Sequence, residues 1–175
     1  ILFVLLSVCV VFVVSYYRNY VTNYLSGYAN ENVTTFFSPY VEGSDEIFNQ
    51  KAKEFVDSFS DKGKMEVQVV NRKGTVSFSS SGFGVSETVE DMDDVQEALE
   101  ASSGISKWTG FNSNGEHIMA VSMILPRPNN EFTGAVRFIT SLKAIDTQII
   151  GLIILILVVY FIALFFVALS GIFFI

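Results

Sequence analysis

Hydrophobic positions fall along this chain in three patterns: solid runs at both ends, spacings of three and four in two stretches, and alternation across the middle. The closing run, 149–175, is almost unbroken Ile, Leu, Val, Phe and Ala, longer than the roughly 20 residues with which a helix crosses a bilayer. It predicts a transmembrane helix. The opening run, 1–17, would rise about 25 Å as a helix, against a hydrocarbon core of roughly 30 Å. It reads as a first transmembrane helix shortened at its start. No basic start and no small-residue cleavage site accompany it, which favours a retained anchor over a signal peptide. The chain opens on Ile and stops inside hydrophobic sequence, as expected of a piece cut from a longer protein.

Between the runs the period changes twice. Tyr17, Tyr20, Val21, Tyr24, Leu25 and Tyr28 recur at helical spacing and predict an amphipathic stalk over 18–43 that continues the first span and ends near Ser38-Pro39. Ser44, followed by Asp45 and Glu46, is a helix start with negative charge where the dipole favours it. The stripe Ile47, Phe48, Ala52, Phe55, Val56 and Phe59 carries that helix onward. From Met65 the period is two: Val67 and Val69 alternate with Glu66 and Gln68, and Val76 and Phe78 with serines, about a turn at 71–74. That is a hairpin. Thr88 opens another helix in the pattern Thr-x-x-Asp, with Met92, Val95 and Leu99 as its apolar stripe and Gly104 beyond its end. Strands are expected over 105–111, 117–125 and 135–140, joined by a turn at 112–116 and a loop at 126–130. A short exit helix over 142–148 then leads into the closing run, with no proline from Phe132 to the end. The expected fold is α+β: N-terminal helices on a five-stranded antiparallel sheet over 44–141, flanked by two transmembrane helices.

Composition narrows the function. All 11 basic and 18 acidic residues lie between Arg18 and Asp146, so the middle segment is polar and sits on one side of the membrane. The net charge of −7 is local, in Glu87, Glu90, Asp91, Asp93, Asp94, Glu97 and Glu100, a run without one base. Nucleic acid is excluded as a partner, because phosphate binding needs a basic stripe. The single cysteine, Cys9, lies in the first span, so the middle domain has no disulfide and folds on its core alone.

Two strands, a helix and then a three-strand meander follow the order of the extracytoplasmic PAS-like (single Cache) sensor domain. The hairpin Val69-Val70-Asn71-Arg72-Lys73-Gly74-Thr75-Val76 resembles the corresponding hairpin of that family, and Asp94-Val95-Gln96-Glu97-Ala98-Leu99 its central helix. The stretch from Gly134-Ala135-Val136-Arg137 to Lys143-Ala144-Ile145-Asp146 resembles the last strand and exit helix of bacterial sensor histidine kinases. The resemblance implies a homodimeric sensor in the bacterial cell membrane that passes an extracytoplasmic cue, a small molecule, peptide or ion, through two spans. The kinase region, with its ATP and Mg and its response-regulator partner, would follow Ile175, so no catalytic residue and no cofactor is expected within the chain itself. The same sensor could serve a chemoreceptor or a cyclic-dinucleotide enzyme. A loop of a transporter or cell-division protein, needing no ligand, is the alternative of a different class.

The resemblance implies a ligand pocket on one face of the sheet, and side-chain chemistry supplies the candidates for it. Trp108 and Arg137 fall on neighbouring strands with Ser122, where Trp offers an apolar wall and Arg a fork for a carboxylate or phosphate. The competing expectation is that Trp108 fills core and Arg137 pairs with a surface acid. Asp91, Asp94 and Glu97 recur at spacings of three and would present one face to a divalent cation, since hard cations take oxygen ligands; the alternative is a solvated helix face. His117, the only histidine, opens a strand beside a turn and is expected at the surface. The tyrosines near the first span suit a dimer seam or a belt against membrane lipid.

Overall fold

The computed structural model describes residues 2–81, 88–112, 114–126 and 131–173. Glu87 of the acidic run, Ser113 of the second turn and the loop residues 127–130 lie outside these. The chain forms two compact units, one of Val21–Leu142 and one of the residues up to Tyr20 with those from Lys143 onward.

In the second of these units lie most of α1 (Leu2–Ser26) and all of α5 (Lys143–Phe173). The expected exit helix and closing run are one continuous helix. Within it, 145–170 has a mean hydropathy of 3.3 and none of it is buried. Its 26 residues would rise about 39 Å at 1.5 Å per residue, enough to cross a bilayer by length and composition.

The unit Val21–Leu142 is built on five antiparallel strands: β1 (Glu66–Val70), β2 (Val76–Ser79), β3 (Ile105–Phe111), β4 (His117–Ile124) and β5 (Ala135–Ser141), in the order β2-β1-β5-β4-β3. Both predicted hairpin turns form, and for the same reason. The Asn71 carboxamide oxygen accepts from the amides of Lys73 and Thr75, and that of Asn112 from the amides of Asn114 and Glu116. Gly74 and Gly115, each at φ 74°, supply the left-handed residue that such turns need.

The helical stalk does not form as expected. α1 ends at Ser26, a turn follows, and α2 (Glu31–Phe37) starts afresh. The Gly27 amide bonds back to Asn23 and Tyr24, and the Asn30 carbonyl accepts from Val33 at the start of α2. With this break, Leu25, Ala29, Val33, Phe37 and Val41 all bury in the core. α3 (Asp45–Ser58) starts where expected, with the Ser44 hydroxyl accepting from the Ile47 amide.

Together α2, α3 and the residues around Tyr28 cover one face of the sheet with aromatic rings. Phe37 meets Phe48 and Phe55 at 5.8 and 5.2 Å, while Phe138 of β5 meets Tyr28 and Phe59 at 5.8 and 6.1 Å. Each such ring, fully buried, contributes roughly 1.5–3 kcal/mol of transfer free energy. On the opposite face lies α4 (Asp93–Glu100), with Met92, Val95 and Ala98 against Val70, Val76, Ile124 and Ala135. Only part of that face is filled in this apolar way.

Candidate functional site

The alternation of β1 puts Val67 and Val69 on the aromatic face and Glu66 and Gln68 on the α4 face. β5 pairs with β1 so that Arg137 stands beside Gln68, and β4 pairs with β5 so that Ser122 stands beside Arg137. Ser106 of β3 is opposite Ser122 in turn. The register alone thus lines up polar side chains from four adjacent strands in one row.

These side chains bond to one another. Arg137, in the central strand, donates through Nε and Nη2 to both Asp94 oxygens at 2.8 and 2.7 Å, and through Nη1 to Gln68 Oε1 at 2.8 Å. Gln68 Nε2 donates to Glu66 Oε1 at 2.7 Å, which also accepts from Ser79 Oγ at 2.6 Å. The Ser122 hydroxyl donates to Asp94 Oδ2, and the Ser106 hydroxyl to the Asp94 carbonyl. Arg137 and Gln68 are each 3 % exposed and Asp94 1 %. A charged pair so far from water persists only when its lone pairs and N–H groups are met with good geometry, as they are here.

Beside this row opens a cavity of about 450 Å³. Glu66, Gln68, Arg137, Ile118 and Ile139 line it from the sheet, Lys62 and Lys64 from the approach to β1, and Asn112, Asn114 and Glu116 from the β3–β4 turn. Both signs of charge therefore meet over a partly apolar floor, a lining suited to a small polar solute.

One rim residue is tied to a second cluster. The Tyr28 hydroxyl donates to Asp61, and Lys64 lies 3.6 Å from the same carboxylate. The Tyr28 bond, with Lys64 adding, holds the Asp61 carboxyl below its usual range. Tyr28 is pushed up in return. Lys64 is raised first by Tyr24 and then by Asp61.

The predicted site residues separate. Arg137 lines the cavity, but its partner is the buried Asp94 and not a surface acid. Ser122 lies wholly inside, bonded to that same carboxylate. Trp108 turns along its own strand over Gly110, where any Cβ would collide with the indole, and packs beside Ile118, Ala120 and Ile139. It borders a different depression, with Asp93, Gln96, Glu97 and Glu100.

Nor do Asp91, Asp94 and Glu97 share a face. Asp91 belongs to a 3-10 turn (Val89–Asp91), and Met92, at φ −113° and ψ 84°, interrupts the helix before α4 begins. A spacing of three across that break does not stack side chains. Thr88 donates to Asp91 Oδ2 at 2.9 Å and does not cap the backbone. Among the described residues no group of three or more His, Cys, Asp or Glu is placed to hold a metal ion. His117 stacks on Phe111 at 5.0 Å beside the turn.

Glu66, Gln68, Lys62 and Lys64 were not foreseen as site residues. A signal for the buried pair does exist in the sequence: Arg137 stands alone among Ala135, Val136, Phe138 and Ile139, and Asp94 adjoins Val95 and lies four before Ala98 on the apolar stripe. Charges in such places require a partner.

No protein-family model and no curated protein matches the chain. Similar folds do occur among solved structures. The extracellular domain assigned to the histidine kinase rpHK1S-Z16 superposes with a TM-score of 0.50 at 15 % identity, over 74 % of this chain and 54 % of that one. The corresponding domain assigned to the histidine kinase vpHK1S-Z8 gives 0.50 at 10 % identity, over 77 % and 56 %. A domain of a sensory box/GGDEF family protein from Vibrio parahaemolyticus gives 0.53 at 10 % identity, over 82 % and 62 %. The chain thus spans little more than half the length of these proteins. Its α+β sheet with flanking helices is the PAS-like fold of extracytoplasmic sensor domains.

Proposed function

We propose that the chain is the input part of a membrane-bound signalling protein, in which Val21–Leu142 takes up a small polar solute outside the cytoplasm and α5 carries the consequence into the membrane. The observation that carries this reading is the cavity of about 450 Å³, lined by charges of both signs, on the sheet of a sensor-type fold that leads into a helix apolar enough to span. The opening apolar run would be the other span, and a homodimer would set the spans of two copies side by side. The output we favour is a histidine kinase acting on a response regulator. A cyclic-dinucleotide enzyme is the second reading, supported by the sensory box/GGDEF neighbour.

The test is the melting temperature of the full chain in nanodiscs, against a panel of the common amino acids and two- to four-carbon carboxylates at millimolar concentration. A solute present at 100 times its Kd stabilises the native state by about 2.7 kcal/mol. The shift should shrink in Lys64→Ala and Glu66→Gln. A panel that shifts nothing, or a shift that both variants retain, would overturn the assignment of the cavity.

A further inference from the structure

Arg137 belongs to two places. It is among the residues that line the cavity, and its guanidinium binds the carboxylate of Asp94, a residue of α4 buried against the sheet. Two further bonds from the sheet reach the same residue, from Ser122 to its carboxylate and from Ser106 to its carbonyl. α4 itself is short, eight residues. Its preceding residue, Met92, makes no side-chain cap, and a helix of that length has little stability apart from its packing.

We propose that Asp94 is a positioning residue: it holds the Arg137 guanidinium beside the cavity and, with that ion pair, helps fasten α4 to the sheet, so that α4 is the element that answers to charge in the cavity. This rests on the cavity being the solute site. An anionic group that draws on Arg137 from the cavity side weakens its hold on Asp94, because two carboxylates then share one cation. A cationic occupant leaves the pair intact.

The experiment needs no solute, so it succeeds or fails independently of the sensing assignment. Gln68→Glu, made together with Glu66→Gln so that the amide–carboxylate contact between the two is kept in reverse, places a carboxylate beside the guanidinium where Gln68 Oε1 now accepts. Hydrogen exchange is then followed by mass spectrometry on the full chain in nanodiscs. Amides of α4 should exchange faster by roughly tenfold or more, the effect of one hydrogen bond to a charged group, while those of β4 and β5 keep the wild-type rate. The emission of Trp108, the single tryptophan and a neighbour of Gln96, Glu97 and Glu100, should move to the red.

Asp94→Asn should raise the exchange of α4 more than that of β4 and β5. Ser122→Ala, which removes one bond and leaves the pair, should do so in smaller measure and still decides the matter if a charged variant fails to fold. Unchanged α4 exchange in the folded variants overturns the proposal. So does an equal rise in α4 and the sheet, which would make the pair an ordinary part of the core.

Discussion

Removing one member of a buried ion pair leaves the other charged and out of water, and the penalty is about 3–5 kcal/mol. Asp94→Ala should therefore cost about that much in a urea melt. The double variant Asp94→Ala with Arg137→Met should cost much less than the two single changes together, since no lone charge remains. Strict additivity would show that the two side chains do not act as a pair. At Asp61 the matter is pH. Its carboxyl is depressed when folded, so its contribution is present above the unfolded value of about 3.9 and is lost as pH falls through the folded one. Tyr28→Phe removes the main cause of that depression. The variant should lose less stability than the wild type between neutral pH and pH of about 3, measured by thermal melts; equal losses would discount the Tyr28 bond.

At the level of elements, the break between α1 and α2 decides where the domain begins. Leu25, Ala29, Val33, Phe37 and Val41 are all at most 5 % exposed, so residues 21–43 contribute to the core and do not stand apart as a stalk. A soluble fragment over 21–142 should fold cooperatively with mixed helix and strand circular dichroism. One over 44–143, the extent the sequence suggests, should melt far lower or aggregate, because Phe48 and Phe55 lose Phe37, and Phe138 loses Tyr28. Equal melting temperatures would show that 21–43 is dispensable.

For the whole molecule, the start of α5 sets the place at which a helix break matters. α5 begins at Lys143, so proline at Ala144 or Ile145 falls in the first turn, where its missing N–H is no loss. Ile150→Pro lies inside the helix and costs roughly 3 kcal/mol. In a chimera joined to a kinase of known output, Ile150→Pro should abolish the response and Ile145→Pro should preserve most of it. The same response from both would argue against transmission along α5.

Much of the molecule was legible from the residues taken in order. The period of two in Val67 and Val69, the Asn-to-Gly turns at 71–74 and 112–115, the Ser44 helix start and the apolar run after Ile149 are local signals, and each formed as expected because its physics is settled within a few residues. What Glu66, Gln68 and Arg137 face was not legible. Alternation in a strand says that polar side chains leave the apolar face, and not whether they reach water or a second buried layer. That depends on register between strands far apart in sequence and on the seat of α4. Likewise the even spacing of Asp91, Asp94 and Glu97 implied one surface until the irregular backbone at Met92 separated them and packing of Val95 and Ala98 drew Asp94 inward. The chain by itself determined most of the strands and helix starts and the one described helix apolar enough to span, though not the break after Ser26 or the late start of α4. The tertiary structure alone decided which charges are buried together, because partners such as Asp94 and Arg137 lie 43 residues apart and meet only once the sheet is assembled.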